Sequence, residues 1–335
     1  MINRRNLLQL SAGALAGSAF GAFPAFGQSA KNWDFADEYV ASLSPGRAAN
    51  YFIEELNKQV GDELTITYQG GGALGYKSAE HFNAVETGAV PMAITLVTQL
   101  NGVDPLLDLT NLPFLVRNAK ESQDLWNIAR DEYAKIFEEN DQIALFAAPS
   151  PPSGIHSRVA LDNPDVFKGL RIRTFDRIST TTLANAGASP LQVAWADVVP
   201  LLSTGALDAM LTSADGGVSI SVWDFLGHFT ELNYSSALYI AHVNRYEFEA
   251  LSPRVQDAIM ALCRPTDDYA WKTMGELVET GYGKLREHGT QVNTNPPAAV
   301  FDLLAQAGEA AKAEWLERVG DRGAAIMEAF EASRA

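Results

Sequence analysis

One order of elements is written twice along this chain, and that repetition constrains the fold more than any other feature. The segment "NWDFADEYV" alternates like a strand. "SPGRAANYFIEELNKQVG" follows with helical spacing, Ser44 placed to cap it, Pro45 in its first turn and Gly61 to stop it. A strand "ELTITYQ", a turn "GGGALGYK", a helix "SAEHFNAVETG" closing on Gly88 and a strand "AVPMAIT" complete a β-α-β-α-β run. Such alternation implies a parallel sheet, because each helix carries the chain back to start the next strand. The order recurs downstream: strand "KGLRIRTF", helix "ISTTTLANAG", strand "PLQVAW", helix "ADVVPLLSTG" with Asp197 at its cap, strand "ALDAMLTS". Both runs end on similar junctions, "TGAVPMAIT" from Thr87 to Thr95 and "TGALDAMLT" from Thr204 to Thr212.

The expectation is an α/β chain of two similar lobes, residues 31–155 plus 240–280 and residues 156–239 plus 281–335, with a ligand cleft between them. No long Gly/Ser-rich tether separates the halves, so crossing strands are expected to join them. "SSALYIAHVN" reads as a further strand, and helical patterns dominate from "SPRVQDAIMALC" to "AAIMEAFEASRA", broken at Pro296 and Pro297. These helices lack sustained heptads and are expected to pack on the lobes rather than coil with a partner.

Composition narrows the partners. The chain has 335 residues, 47% of them hydrophobic, enough for a sizeable core. With 25 Lys and Arg against 41 Asp and Glu, the net charge of −16 lacks the basic footprint that nucleic acid or anionic lipid requires. Residues 1–30 contain no Asp or Glu; Arg4 and Arg5 precede a weakly apolar Ala/Gly/Leu run and small residues. That is signal-peptide architecture, with cleavage expected after Gly27 or Ala30, and the paired arginines followed by Leu7 and Leu8 resemble a twin-arginine signal. An ordinary Sec signal with two chance arginines is the alternative. Cys263 is the only cysteine, so no intramolecular disulfide forms. The reading is an exported periplasmic protein whose mature chain does not insert into the membrane.

Most chemistry-bearing motifs do not withstand inspection. "GGGALG", Gly70 to Gly75, matches GxGxxG after a strand, but it is not in the first βα turn and the next strand ends in Thr95 with no acid for a ribose. His81, His156, His228, His242 and His288 are scattered, without HExxH or paired spacing, which leaves no zinc-type site. No G-x-S-x-G elbow occurs, and Asp208, Asp215 and Asp224 read as turn or cap residues rather than a catalytic pair. No enzyme activity, cofactor or metal is expected.

Arg173 remains. In open α/β sheets ligands bind at the carboxyl ends of strands. Three such ends fall close together in order: Arg173 with Phe175, then Trp195, then Thr212 with Ser213. They offer a fork-shaped cation, an aromatic wall and two hydroxyls. A guanidinium matches the two oxygens of a carboxylate. Arg171 shares the pleat face, but it lies earlier in the strand. The opposite lobe is expected to contribute the "GALGY" loop, with Tyr76, and Thr95.

At these residues the sequence resembles the solute-binding proteins of tripartite ATP-independent periplasmic (TRAP) transporters, of the dicarboxylate-binding (DctP) type. The resemblance is carried by "DVFKGLRIR", "GASPLQVAWADVVPLLSTGALDAMLTS" and "YIAHVNRYEFEALSP", with weaker echoes in "GGALGYKSAEHFNAVETGAVPMA" and "NLPFL". It spans essentially the whole mature chain. It implies two lobes joined by crossing strands and a long helix, in the manner of a type II periplasmic binding protein. It implies that Arg173 grips a ligand carboxylate, that position 212 contacts the ligand, and that membrane permease subunits receive it. Where the family often reads Glu-Asn, this chain reads "DAMLT", a hydroxyl in place of an amide. An arginine of the family upstream of "FKG" is absent; "SGIHSRVAL" offers His156 and Arg158. One clear cation among Trp195, Phe175, Phe114 and Tyr76 suits a monocarboxylate: an aromatic, branched or keto acid. Two rivals stand beside this reading: the receptor of an ATP-driven importer, and an exported enzyme loaded with a cofactor before twin-arginine export.

Overall fold

The computed structural model describes residues 30–334. The expected export signal at residues 1–30 lies outside them but for Ala30. The first run contains β1 (Lys31–Ala36), α1 (Ser44–Val60), β2 (Leu64–Gln69), α2 (Ser78–Glu86), β3 (Met92–Leu96), α3 (Ala119–Glu138) and β4 (Gln142–Pro149). The second contains β5 (Gly154–Ser157), β6 (Arg171–Thr174), α4 (Arg177–Asn185), β7 (Ser189–Gln192), α5 (Val198–Ser203), β8 (Ala209–Thr212), α6 (Ala214–Ser219) and β9 (His228–Thr230). Then come β10 (Leu238–Asn244), α7 (Arg245–Glu249), α8 (Pro253–Glu287), β11 (Gln291–Asn293), α9 (Ala298–Val319) and α10 (Asp321–Ser333).

Two sheets result, ordered β2-β1-β3-β10-β4 and β11-β9-β5-β8-β6-β7. The runs read as β-α-β do pair in parallel: β1 with β2 and β3, and β6 with β7 and β8. β10 inserts antiparallel between β3 and β4, and β5 antiparallel between β8 and β9. The chain crosses between the sheets twice, at residues 150–153 between β4 and β5 and at residues 231–237 between β9 and β10. The two crossings bond to each other: Ser150 N to Ala237 O at 2.7 Å, Ser153 N to Ser235 O at 2.8 Å and Tyr234 N to Ser153 O at 3.0 Å. This is the two-lobed fold of a periplasmic binding protein, its lobes joined by crossing strands.

The third connection is α8. Ser252 caps it, Pro253 opens it, and it runs 35 residues through Pro265 without breaking. At 1.5 Å per residue it spans about 50 Å, packing on α1 and β4 at one end and on α6 and β11 at the other. Gly281 permits the second approach: a Cβ there would stand 3.0 Å from Asp215 N. Beyond it the helical C-terminus straddles both halves, α9 against α4 and α10 against α3.

The start of α1 differs from expectation. Leu43, extended at φ −80° and ψ 164°, is the capping position, and Ser44 is already helical. The Ser44 hydroxyl instead donates to Pro149 O at 2.5 Å, which fastens the helix start to the first crossing. Phe52, Ile53, Leu56 and Val60 form the buried stripe of α1, and Phe52 meets Phe146 of β4 at 5.0 Å between ring centres. Each such side chain contributes about 1.5–3 kcal/mol by leaving water.

Candidate ligand-binding site

A cavity with about 480 Å³ of empty volume, part of it open to solvent, lies between the sheets. The second lobe contributes Arg173 and Phe175 from β6 and the residue after it, Trp195, Thr212 at the end of β8, and Ser213, Asp215 and Gly216 from the following turn. Tyr39, Leu43, Ser44, Pro45, Leu96 and Tyr239 face them from the first lobe, and the crossings supply Ser150, Pro151, Ser153 and Ala237.

Arg173 is 2% exposed. Its Nε donates to Val193 O at 3.0 Å and its Nη1 to Leu211 O at 3.3 Å. Its guanidinium carbon lies 5.4 Å from the Trp195 ring centre and 5.5 Å from that of Phe175. Two of its five N–H groups are thereby occupied and three are left, two of them on Nη2. No carboxylate stands within salt-bridge distance of it among the described residues. The nearby acids have other commitments. Asp176 takes Ser179 N and Oγ, Thr98 Oγ1 at 2.6 Å and Asn111 Nδ2. Glu38 takes Ser78 N and Ala196 N. Burial lowers the Arg173 pKa, yet an arginine keeps its charge at any ordinary pH. A buried cation without an anion is costly, so this cavity is poised for an anion from outside. Arg171, one pleat period earlier, is half exposed and already paired, with Nε and Nη2 on Asp208 at 2.7 and 2.6 Å.

Several residues expected at the site lie off its wall. Thr95 is fully buried and its Oγ1 bonds His242 Nε2 at 2.7 Å; the next residue, Leu96, takes the cavity-facing side of β3 beside its pairing partner Tyr239. Tyr76 packs against the small cluster of Ala36, Ala84, Val85, Val90 and Ala93. His156 sits one layer back, its Nε2 3.1 Å from Ser213 O and its ring against Phe229 at 4.5 Å. Burial drives its pKa to about 4, so it is neutral near pH 7. Phe114 packs on Tyr234 and Phe301, away from the cavity. Tyr39, Tyr239 and Asp215 line the site without having been anticipated. Tyr39 and Tyr239 meet edge to face at 5.1 Å, and burial raises both phenol pKa values, which keeps their hydroxyls protonated.

Contacts across the cleft mouth join the lobes. Lys77 Nζ pairs with Asp197 Oδ2 at 2.7 Å, Ala196 N donates to Glu38 Oε1 at 3.2 Å, and the Tyr39 and Trp195 rings lie 6.0 Å apart. Asp197 thus makes an ion pair across the cleft, and its side chain makes no capping hydrogen bond to α5.

Two lobes, two strand crossings, one shared helix and a cavity at the strand ends define a bilobed solute-binding receptor. The chain belongs to the bacterial extracellular solute-binding protein family 7, the DctP family, whose profile matches residues 36–317. It is similar to the 2,3-diketo-L-gulonate-binding periplasmic protein YiaO of Escherichia coli K12, at 24% identity over 286 residues, 84% of this chain and 86% of that protein. Among solved structures it resembles DctP7 of Bordetella pertussis, an extracytoplasmic solute receptor binding pyroglutamic acid, at 25% identity and a TM-score of 0.86, covering 90% of this chain and all of that one. A marine-metagenome TRAP solute-binding protein specific for pyroglutamate is 26% identical with a TM-score of 0.86, over 91% of this chain and all of that one. These relatives are binding receptors, not enzymes, and they favour the TRAP reading over an ATP-driven importer. No helix among the described residues is long and apolar enough to cross a membrane.

Proposed function

We propose that this chain captures a small organic acid with one carboxylate and hands it to membrane permease subunits after the lobes close on it. One observation carries the reading: Arg173 is buried on the cavity wall with no acidic partner. No other Lys or Arg among the described residues lines that cavity, so a second ligand carboxylate would meet no cation there. The ligand carboxylate takes the free N–H groups of Arg173, Trp195 and Phe175 hold its carbon frame, and Thr212 and Ser213 offer hydroxyls. The pyroglutamate bound by two relatives is an acid of this size and charge. Export to the periplasm by the twin-arginine route is part of the proposal, on the strength of Arg4 and Arg5.

Native mass spectrometry of the purified protein identifies a co-purified acid, and calorimetry with that acid tests Arg173. Truncating one partner of a buried charge pair costs about 2–5 kcal/mol, so Arg173→Ala is expected to weaken binding by roughly 30-fold to a few thousandfold. Arg173→Lys recovers only part, because a point charge cannot match both oxygens. Arg171→Ala, whose parent residue is bound to Asp208, has little effect. Binding by Arg173→Ala within about threefold of the parent, under half the free energy that one factor of ten represents, would sink the assignment.

A further inference from the structure

Arg173 is not the only charged group on this wall whose partner is missing. Asp215 lies beside the Thr212–Ser213 strand end and is 8% exposed. Its Oδ1 is fully enclosed and has no hydrogen-bond partner, the only such side-chain atom among the described cavity-lining residues. Leaving a buried acceptor unmet costs about 1–3 kcal/mol. The cations around it do not relieve it: Arg173 on the same cavity wall, and Arg47 and Lys284, which share a second, smaller cavity with it, form no ion pair with it within 4.0 Å. A cation and an anion therefore stand on one cavity wall, each unpaired and not paired with each other.

We infer that the ligand carries a hydrogen-bond donor, an N–H or O–H, which meets Asp215 while its carboxylate meets Arg173. The ligand class is thereby narrowed from small monocarboxylates to those with such a donor, such as lactam acids and hydroxy acids. The inference rests on the carboxylate reading proposed above, and it adds a requirement that reading does not contain. The selectivity has a physical source. A site built to bond a polar group discriminates strongly against an analogue lacking it, because the buried protein group is then stranded.

The test uses two ligand pairs that differ by the donor. One is L-pyroglutamate against 3-oxocyclopentane-1-carboxylate, in which a CH₂ replaces the lactam N–H. The other is 2-hydroxyisovalerate against isovalerate. Calorimetry on the parent is expected to favour the donor-bearing member of at least one pair by about tenfold or more. Asp215→Ala should reduce that preference to about threefold or less. Asp215→Asn, which keeps an uncharged acceptor, should retain part of it and guards against a folding defect in the alanine variant. Donor-free acids binding as tightly as their partners in both pairs overturns the inference and leaves the carboxylate reading standing. So does a preference that survives in the alanine variant. Failure of all four acids to bind the parent counts against the carboxylate reading itself, and the inference falls with it.

Discussion

Burial without a full set of donors governs the protonation of Asp215, and so its effect on stability. Burial pushes its carboxyl pKa up to about 6, against opposing pulls from the Ser213 hydroxyl and the Gly216 and Asp215 amides. The folded pKa lies above the ordinary unfolded value, so the native state holds the proton more tightly. Asp215 therefore costs stability above about pH 6 and ceases to cost as pH falls toward about 4, where both states are protonated. Asp215→Asn is expected to raise the melting temperature of the ligand-free protein by a few degrees at about pH 8 and to lose that advantage near pH 4. Thermal melts at the two pH values check it; an unchanged or lower melting temperature at the higher pH refutes it. The buried histidines act oppositely. His81 and His156 are lowered to about 4 by burial, and the stability their neutrality confers is lost as pH falls from about 6.5 to about 4. The comparison of variant with parent removes their contribution.

At the scale of elements, the start of α6, which carries Asp215 just after its cap Ser213, has no room for a Cβ at positions 216 and 217. A Cβ on Gly217 would stand 2.3 Å from the His156 ring, and one on Gly216 2.7 Å from Thr212 Oγ1. Gly217→Ala is expected to destabilise by about 1–3 kcal/mol through overpacking and to weaken ligand binding by displacing Ser213. His156→Ala makes room for the added methyl, so the double variant should be less unstable than the two single effects added together. Denaturant unfolding of the four proteins measures this; strict additivity would mean that His156 does not hold the turn. The same elements show what the sequence could and could not reveal. The repeated β-α-β order and the strand ends at Arg173 and Thr212 were legible, because parallel sheets with helical crossovers impose that pattern. Which face of β3 looks into the cleft was not legible. β3 is buried on both sides, so its hydrophobicity does not alternate, and Thr95 and Leu96 were equally eligible. Asp215 follows Ser213 like an ordinary first-turn acid; its enclosure is created by α8 arriving at Gly281 from far along the chain. Tyr39, in the bend after β1, and Tyr239, near the start of β10, were missed for a similar reason: only the antiparallel insertion of β10 brings them together.

At the scale of the whole molecule, closure and ligand recognition are carried by different contacts. The Lys77–Asp197 pair bridges the lobes at the cleft mouth with both side chains substantially exposed, 43% and 53%. Neither residue lines the cavity. The pair therefore favours the closed arrangement without discriminating between ligands, and a ligand gains affinity in proportion to how readily the closed state forms. Exposed ion pairs are worth about 0–1 kcal/mol, which sets a ceiling of about fivefold on the effect. Lys77→Ala is expected to weaken every acid that binds by the same small factor, in contrast with the large loss for Arg173→Ala and the ligand-dependent loss for Asp215→Ala. Raising the salt to about 1 M shortens the screening length to about 3 Å and should bring parent and variant together. Calorimetry on two acids of different shape, at low and high salt, separates the cases. Unequal losses for the two acids would place Lys77 among the residues that recognise the ligand. A loss that persists at high salt would mean that the pair acts through packing rather than charge.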